Sequence, residues 1–218
     1  MGDFHPAVEE YLETIYELEE AGIVPMRARI VERLGVSAPA VSETVKRLER
    51  EGYLTLDASK AMVLTDSGRK YATDMVRRHR LAERLLVDVL HVPWHQVHEE
   101  ACRLEHAISD NLERHLVALL DDPGTCPHGN PIPGSKHSAP LTGTVPMGAL
   151  APGTTAEVRR IDEQLESSPA SLLLLEESDL MPGCTFTVVA RSTDAVDVTT
   201  STGPVVVPDG VAAMVYVL

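Results

Sequence analysis

Between Met75 and Asp110 the sequence holds His79, Glu83, His98, Cys102, Glu105 and His106. Their nitrogen, oxygen and sulfur donors are the groups that a divalent cation takes from a protein. His79 and Glu83 are four residues apart, so on a helix one sits above the other. At about 100° per residue, His98, Cys102, Glu105 and His106 fall within an arc of roughly 100° on one helical face. Any one of them alone would pass for a residue on a solvated face. As a set they are poor core material, and Leu81, Leu85, Leu86, Val89, Leu90, Val97, Ala101 and Leu104 already supply the apolar contacts.

Two helices must carry this set. Thr65-Asp66-Ser67-Gly68 caps a long one that runs into the donor stretch. The second is expected from about Trp94 to Leu120, with Ile108, Leu112, Leu116 and Leu119 as its apolar stripe. Hydrolytic chemistry is the remote alternative. His98-Glu99-Glu100-Ala101-Cys102 differs from the H-E-x-x-H zinc-protease pattern by a cysteine in place of the second histidine. A thiolate there lowers the Lewis acidity of a metal, and nothing in the sequence supplies a substrate cleft, so an enzyme is not expected. A closed structural zinc site usually shows closely spaced cysteine pairs, and the sequence has none.

Upstream, residues 3–21 read as an amphipathic helix ended by Gly22. Pro25 to Leu34 forms a short helix stopped by Gly35. Ser37 is placed as an N-cap with Pro39 in the first turn of a helix that runs through Val41, Val45 and Leu48 to Gly52. Helix, glycine turn, helix is the helix-turn-helix pattern. Tyr53–Leu56 and Ala61–Thr65 have strand character around a turn at 57–60, so a hairpin wing follows the recognition helix. Asp121 to Pro152 is rich in proline and glycine and is expected to be a linker with polyproline character. Beyond it, strands are expected at 156–161, 185–190, 196–199 and 211–217, with a short helix at 171–177. Several short strands in about 70 residues point to a small barrel.

The chain has 218 residues and a net charge of −14. That balance alone opposes nucleic-acid binding. The segment Met26–Arg50 nevertheless has six basic residues against three acidic, whereas Ala151 to the end has three against ten. A locally basic segment in an acidic protein is compatible with DNA. No apolar run approaches 18 residues, and the N-terminus lacks the pattern of a signal peptide. No membrane partner and a cytoplasmic location are therefore expected. Three cysteines, Cys102, Cys126 and Cys184, argue for free or metal-bound thiols over a disulfide framework.

Residues 11–20, Arg27-Ala28-Arg29-Ile30, residues 79–86, residues 100–106 and Gly129-Asn130-Pro131-Ile132-Pro133-Gly134 resemble the diphtheria toxin repressor family of metal-dependent transcriptional regulators. The likeness is close over about residues 3–135 and only one of layout beyond. It implies a mainly α fold with small β parts, laid out as a winged-helix DNA-binding domain (1–74), a helical dimerisation and metal-binding domain (75–137), a Pro/Gly-rich linker (138–152) and an SH3-like β barrel (153–218). It implies a homodimeric repressor on palindromic double-stranded operator DNA. The regulator would sense Mn(II) or Fe(II) and control metal homeostasis genes; the alternative is an iron-selective regulator of iron uptake or siderophore genes.

Two metal sites per chain follow from the resemblance. The ancillary site takes His79, Glu83 and His98. The primary site takes Cys102, Glu105, His106 and Glu10, where iron-sensing members have methionine. A carboxylate at position 10 shifts preference towards manganese, because it is a harder ligand than a thioether. Cys102 pulls the other way. Glu163, Gln164 and Glu166 are candidate ligands from the C-terminal part. Arg80 and Asn130 match an anion-linked contact, and Cys126, which stands at the neighbouring serine position, is expected to be a plain loop thiol. At the DNA surface are Ser37, Pro39, Ala40, Ser42 and Glu43, with Arg27, Arg29, Arg47, Arg50 and Lys60 serving phosphates.

Overall fold

The computed structural model describes residues 8–138 and 142–218. Residues 3–7, the expected start of the first helix, lie outside the described residues. The chain divides into two compact units, Met1–Arg77 and Arg78–Leu218.

In the first unit, helices α1 (Val8–Glu20), α2 (Arg27–Leu34) and α3 (Ala38–Arg50) precede a hairpin of β1 (Leu54–Leu56) and β2 (Met62–Leu64). The hairpin pairs Leu54 with Leu64 and Leu56 with Met62. Leu12, Ile15, Leu18, Ile30, Val41, Val45, Leu48, Leu54 and Met62 form the core. Gly35 ends α2 at φ 64°, a conformation glycine adopts without the Cβ penalty. Ser37 caps α3, its hydroxyl accepting from the Ala40 N–H at 3.4 Å, and Pro39 sits in the first turn. In the wing turn, the Asp57 carboxylate accepts from the Ser59 and Ala61 N–H groups, each at 2.8 Å. Helix α4 (Asp66–Arg84) then begins.

In the second unit, the end of α4 runs into a π-helical turn at Leu85–Val89. The single helix expected from Trp94 to Leu120 is four pieces. A 3-10 turn (Trp94–Gln96) leads into α5 (Val97–Leu104), and a second 3-10 turn (Glu105–Ala107) leads to a break before α6 (Asp110–Leu119). Buried Ile108 takes an extended conformation, ψ 104°, and Ser109 recaps the chain by accepting from Leu112 N–H at 3.3 Å. Residues 126–132 of the stretch expected as a linker are not extended: Cys126 N–H donates to the Asn130 carbonyl at 2.8 Å, and Ile132 is wholly buried.

The C-terminal part is a six-stranded sheet in the order β3-β8-β4-β5-β6-β7. Its strands are β3 (Val145–Pro146), β4 (Thr155–Ile161), β5 (Thr185–Arg191), β6 (Ala195–Thr200), β7 (Gly203–Pro208) and β8 (Val215–Val217), and the pairs are antiparallel. Among the described residues β3 and β7 do not pair, so the sheet is open and the expected barrel is not closed. Helices α7 (Glu163–Glu166), α8 (Pro169–Glu177) and α9 (Asp209–Ala212) accompany it. The strand expected at 211–217 is therefore α9 followed by β8. Strand β7 lies outside the expected strands; its Pro204 and Pro208 fit because β7 is an edge. Val158, Ile161, Leu172, Leu175, Phe186, Val188, Val198 and Val215 form this core.

Candidate metal centre and nucleic-acid interface

One turn of α4 stacks His79 over Glu83, with His79 Nε2 3.4 Å from Glu83 Oε1. The first turn of α5 brings His98 Nδ1 to 3.8 Å from the same oxygen. Helix α7 adds Glu166, whose Oε2 lies 3.4 Å from His98 Nδ1. Ligand atoms of His79, Glu83, His98 and Glu166 lie within 4.8 Å of one another, as do those of His79, His98 and Cys102. The structure thus brings together the three residues expected at the ancillary site, and of the C-terminal candidates Glu166 lies in the same group. A third set, Glu83, Cys126 and His128, meets the same limit. His128 Nδ1 is 3.1 Å from both Glu83 Oε1 and Glu166 Oε2.

Cys126, expected to be a plain loop thiol, is buried beside Glu83 and His128, and His128 is not among the expected ligands. The signal for both was Cys126-Pro127-His128, two metal-type donors at i and i+2 inside a Pro/Gly run. Gly129 makes their approach possible. Its φ is +89°, and a Cβ on it would lie 2.1 Å from the Arg159 carbonyl oxygen on β4.

The cluster holds more donor atoms than partners. His79 Nε2, Glu83 Oε2, His98 Nδ1, His128 Nε2 and Glu166 Oε2 are buried without a hydrogen bond. Orphaned buried polar atoms are costly and rare. Five of them on one cluster of imidazoles and carboxylates fit a cation, so these residues suit a divalent metal.

The charges couple strongly. Burial opposes charge on His79, yet Glu83, Cys102 and Glu105 outweigh it and hold the imidazole well above its ordinary pKa. His128 is likewise raised against its burial by Glu166 and Glu83. Burial also pushes the Cys102 thiol up, but His79 and His98 bring it down to about 7. Cys126, buried and beside Glu83, is pushed up to about 12.

Of the residues expected at the primary site, Glu105 Oε2 sits 2.6 Å from His79 Nδ1, and its Oε1 is 3.4 Å from His106 Nε2. Cys102 Sγ lies 3.7 Å from His98 Nε2. Glu10 stands half-buried on α1 in the first unit. Arg80 and Asn130, expected at an anion-linked contact, spend donors on the chain's own groups. Arg80 donates to Glu163 Oε1 from Nε at 3.0 Å and Nη2 at 2.7 Å, and Asn130 Nδ2 donates to Glu166 Oε1 at 2.7 Å.

In the first unit, Arg29, Ser37, Pro39, Glu43, Arg47, Arg50 and Lys60 are exposed, while Arg27, Ala40 and Ser42 are half-buried. Arg29 pairs with Glu32 at 2.6 Å and Arg47 with Glu51 at 2.8 Å. Both pairs are local and solvated, and such pairs are weak enough for a phosphate to displace.

A helix-turn-helix with a wing, followed by a donor-rich helical unit, is matched in sequence by two family descriptions. "Iron dependent repressor, N-terminal DNA binding domain" covers residues 3–62, and "Iron dependent repressor, metal binding and dimerisation domain" covers residues 65–134. The chain belongs to the iron-dependent repressor family. The iron-dependent repressor IdeR of Mycobacterium leprae is 42% identical over 198 residues, 86% of each chain. The diphtheria toxin repressor of Corynebacterium jeikeium is 54% identical over 134 residues, 62% of this chain and 56% of that protein. A solved manganese-dependent transcriptional repressor in complex with manganese superposes with a TM-score of 0.85 at 33% identity, covering 97% of this chain and 99% of that one. This is a family of repressors and not of enzymes, so the hydrolase alternative falls. Among the described residues no helix is long and apolar enough to cross a membrane.

Proposed function

We propose that the protein is a metal-activated, DNA-binding transcriptional repressor that responds to Mn(II) or Fe(II) and controls metal homeostasis genes in the cytoplasm. The observation that carries this reading is the group of five orphaned buried donor atoms lying within the segment matched as metal binding and dimerisation, or packed against it. His79, Glu83, His98 and Glu166 would hold one ion, with Cys126 and His128 as further donors beside Glu83. Cys102, Glu105 and His106 would hold a second, with Glu10 as the donor implied by the family pattern. A bound divalent cation would supply the positive charge that the buried carboxylates otherwise draw from protonated imidazoles. The four-part domain layout, with a homodimer formed through residues 75–137, is part of the same reading.

The nitrogen and oxygen donors of the first set are hard enough for manganese, whereas the thiols favour later metals. The reading therefore keeps both ions, and the 42% identity to a repressor named as iron-dependent supports the iron-selective arm. Arg27, Arg29, Arg47, Arg50 and Lys60 would neutralise phosphates, and the exposed edge of α3 would read bases in a palindromic operator. Selection from a random duplex pool with Mn(II), with Fe(II) and with EDTA tests this. A palindromic sequence enriched only in the metal arms is expected; equal enrichment with EDTA overturns the reading.

A further inference from the structure

Strand β4 turns Ala156, Val158 and Arg160 inward, so a guanidinium is buried in line with two apolar side chains. A buried cation needs partners that compensate its lost hydration. Arg160 lies 4.0 Å over the ring of Tyr216, its pair residue on β8. Its Nη1 donates to Asn130 Oδ1 at 3.2 Å, and Asp162 Oδ2 is 3.9 Å away. Guanidinium only donates. It therefore fixes the Asn130 amide with the carbonyl towards Arg160 and the NH2 group away from it. That NH2 group donates to the Ile161 carbonyl at 2.9 Å and to Glu166 Oε1 at 2.7 Å. Glu166 then presents its other oxygen, Oε2, to His98 and His128.

We infer that Asn130 and Arg160 are positioning residues for metal binding: the guanidinium sets the amide orientation, and the amide aims Glu166 Oε2 into the donor cluster. Neither residue is in the ligand groups. Ile161 makes the chain rigid, since its carbonyl accepts from Asn130 and its N–H donates to the His128 carbonyl at 2.8 Å. The residue that delivers Glu166 is thus tied to the residue that delivers His128. Outer partners of this kind typically change metal affinity by about 10–100-fold when removed.

The inference rests on the cluster being a metal site, so the experiment separates the two. Co(II) is titrated into wild type and into Glu83→Gln, Asn130→Asp, Arg160→Met and Arg160→Lys, reading affinity and the visible d–d spectrum, with the melting temperature of each metal-free protein as a check of folding. Asn130→Asp sets a carboxylate against Glu166, and Arg160→Met leaves the amide free to turn over. Both are expected to lose about 10–100-fold in affinity with an altered spectrum. Arg160→Lys retains a cationic donor and restores the wild-type spectrum. If Asn130→Asp fails to fold, the Met and Lys variants at Arg160 decide. Wild-type affinity and spectrum in Asn130→Asp and Arg160→Met, beside a loss in Glu83→Gln, overturn the relay alone. Wild-type binding in Glu83→Gln overturns the metal reading and the relay with it.

Discussion

Glu83 is fully buried and is shared by two donor sets, one reaching to His79, His98 and Glu166 and the other to Cys126 and His128. His128 and His79 hold its carboxyl well below the usual carboxylate range in spite of burial. The cluster is therefore poised as carboxylate against imidazolium, and a metal must displace protons to enter. The Cys102 thiol, held at about 7, loses about tenfold in thiolate for each pH unit below that value. The imidazoles of His79, His98 and His128 stay protonated above their ordinary range. Metal affinity should accordingly rise with pH from 6 to 8.5, with proton release on binding; calorimetry in buffers of different ionisation enthalpy reads both, and a flat profile would count against the assignment. Glu10 belongs to the same scale. Glu10→Met exchanges a hard donor for a soft one and should lower the Mn(II)/Fe(II) affinity ratio. Anaerobic titration of both ions into both proteins gives that ratio, and no change would place Glu10 outside the second site.

At the scale of elements, legibility followed locality. Ser37, Pro39 and Gly35 bound α2 and α3 by rules that need only neighbours in sequence, and they were readable in advance. The break at Ile108 was not, because Ile108 continues the apolar stripe, and only Ser109-Asp110 marked a new N-cap. Glu166 could not be singled out from Glu163 and Gln164, since α7 is one turn long and its placement depends on Asn130, 36 residues upstream. The loop at 126–130 hid behind its proline and glycine content although it packs as tightly as the core. Helix α3 offers an element-scale prediction. Glu43 is exposed on it and can accept from a cytosine amine while repelling phosphate. Glu43→Gln should change the selected operator at one base pair per half-site and strengthen non-specific binding. Operators selected by both proteins compare directly, and identical sequences would remove Glu43 from the reading edge.

Over the whole molecule the charge is unevenly spread, locally basic on the DNA-binding helices of an acidic protein. Helix α7 places Glu166 beside His98 and His128, and strand β4 places Arg160 against Asn130, so the C-terminal part reaches the donor cluster. That sheet was legible as short strands but not as an open arrangement, because closure depends on whether β3 and β7 meet, which no local signal encodes. The central claim is that occupancy of the buried cluster controls DNA affinity. The direct measurement is fluorescence anisotropy on a labelled operator at constant ionic strength, for wild type and Glu83→Gln, with Mn(II), Fe(II) or EDTA. The account predicts tight binding by wild type with either metal, a loss of at least tenfold in EDTA, and a Glu83→Gln variant that stays weak at metal concentrations saturating for wild type. Equal affinity of wild type with metal and with EDTA would contradict it.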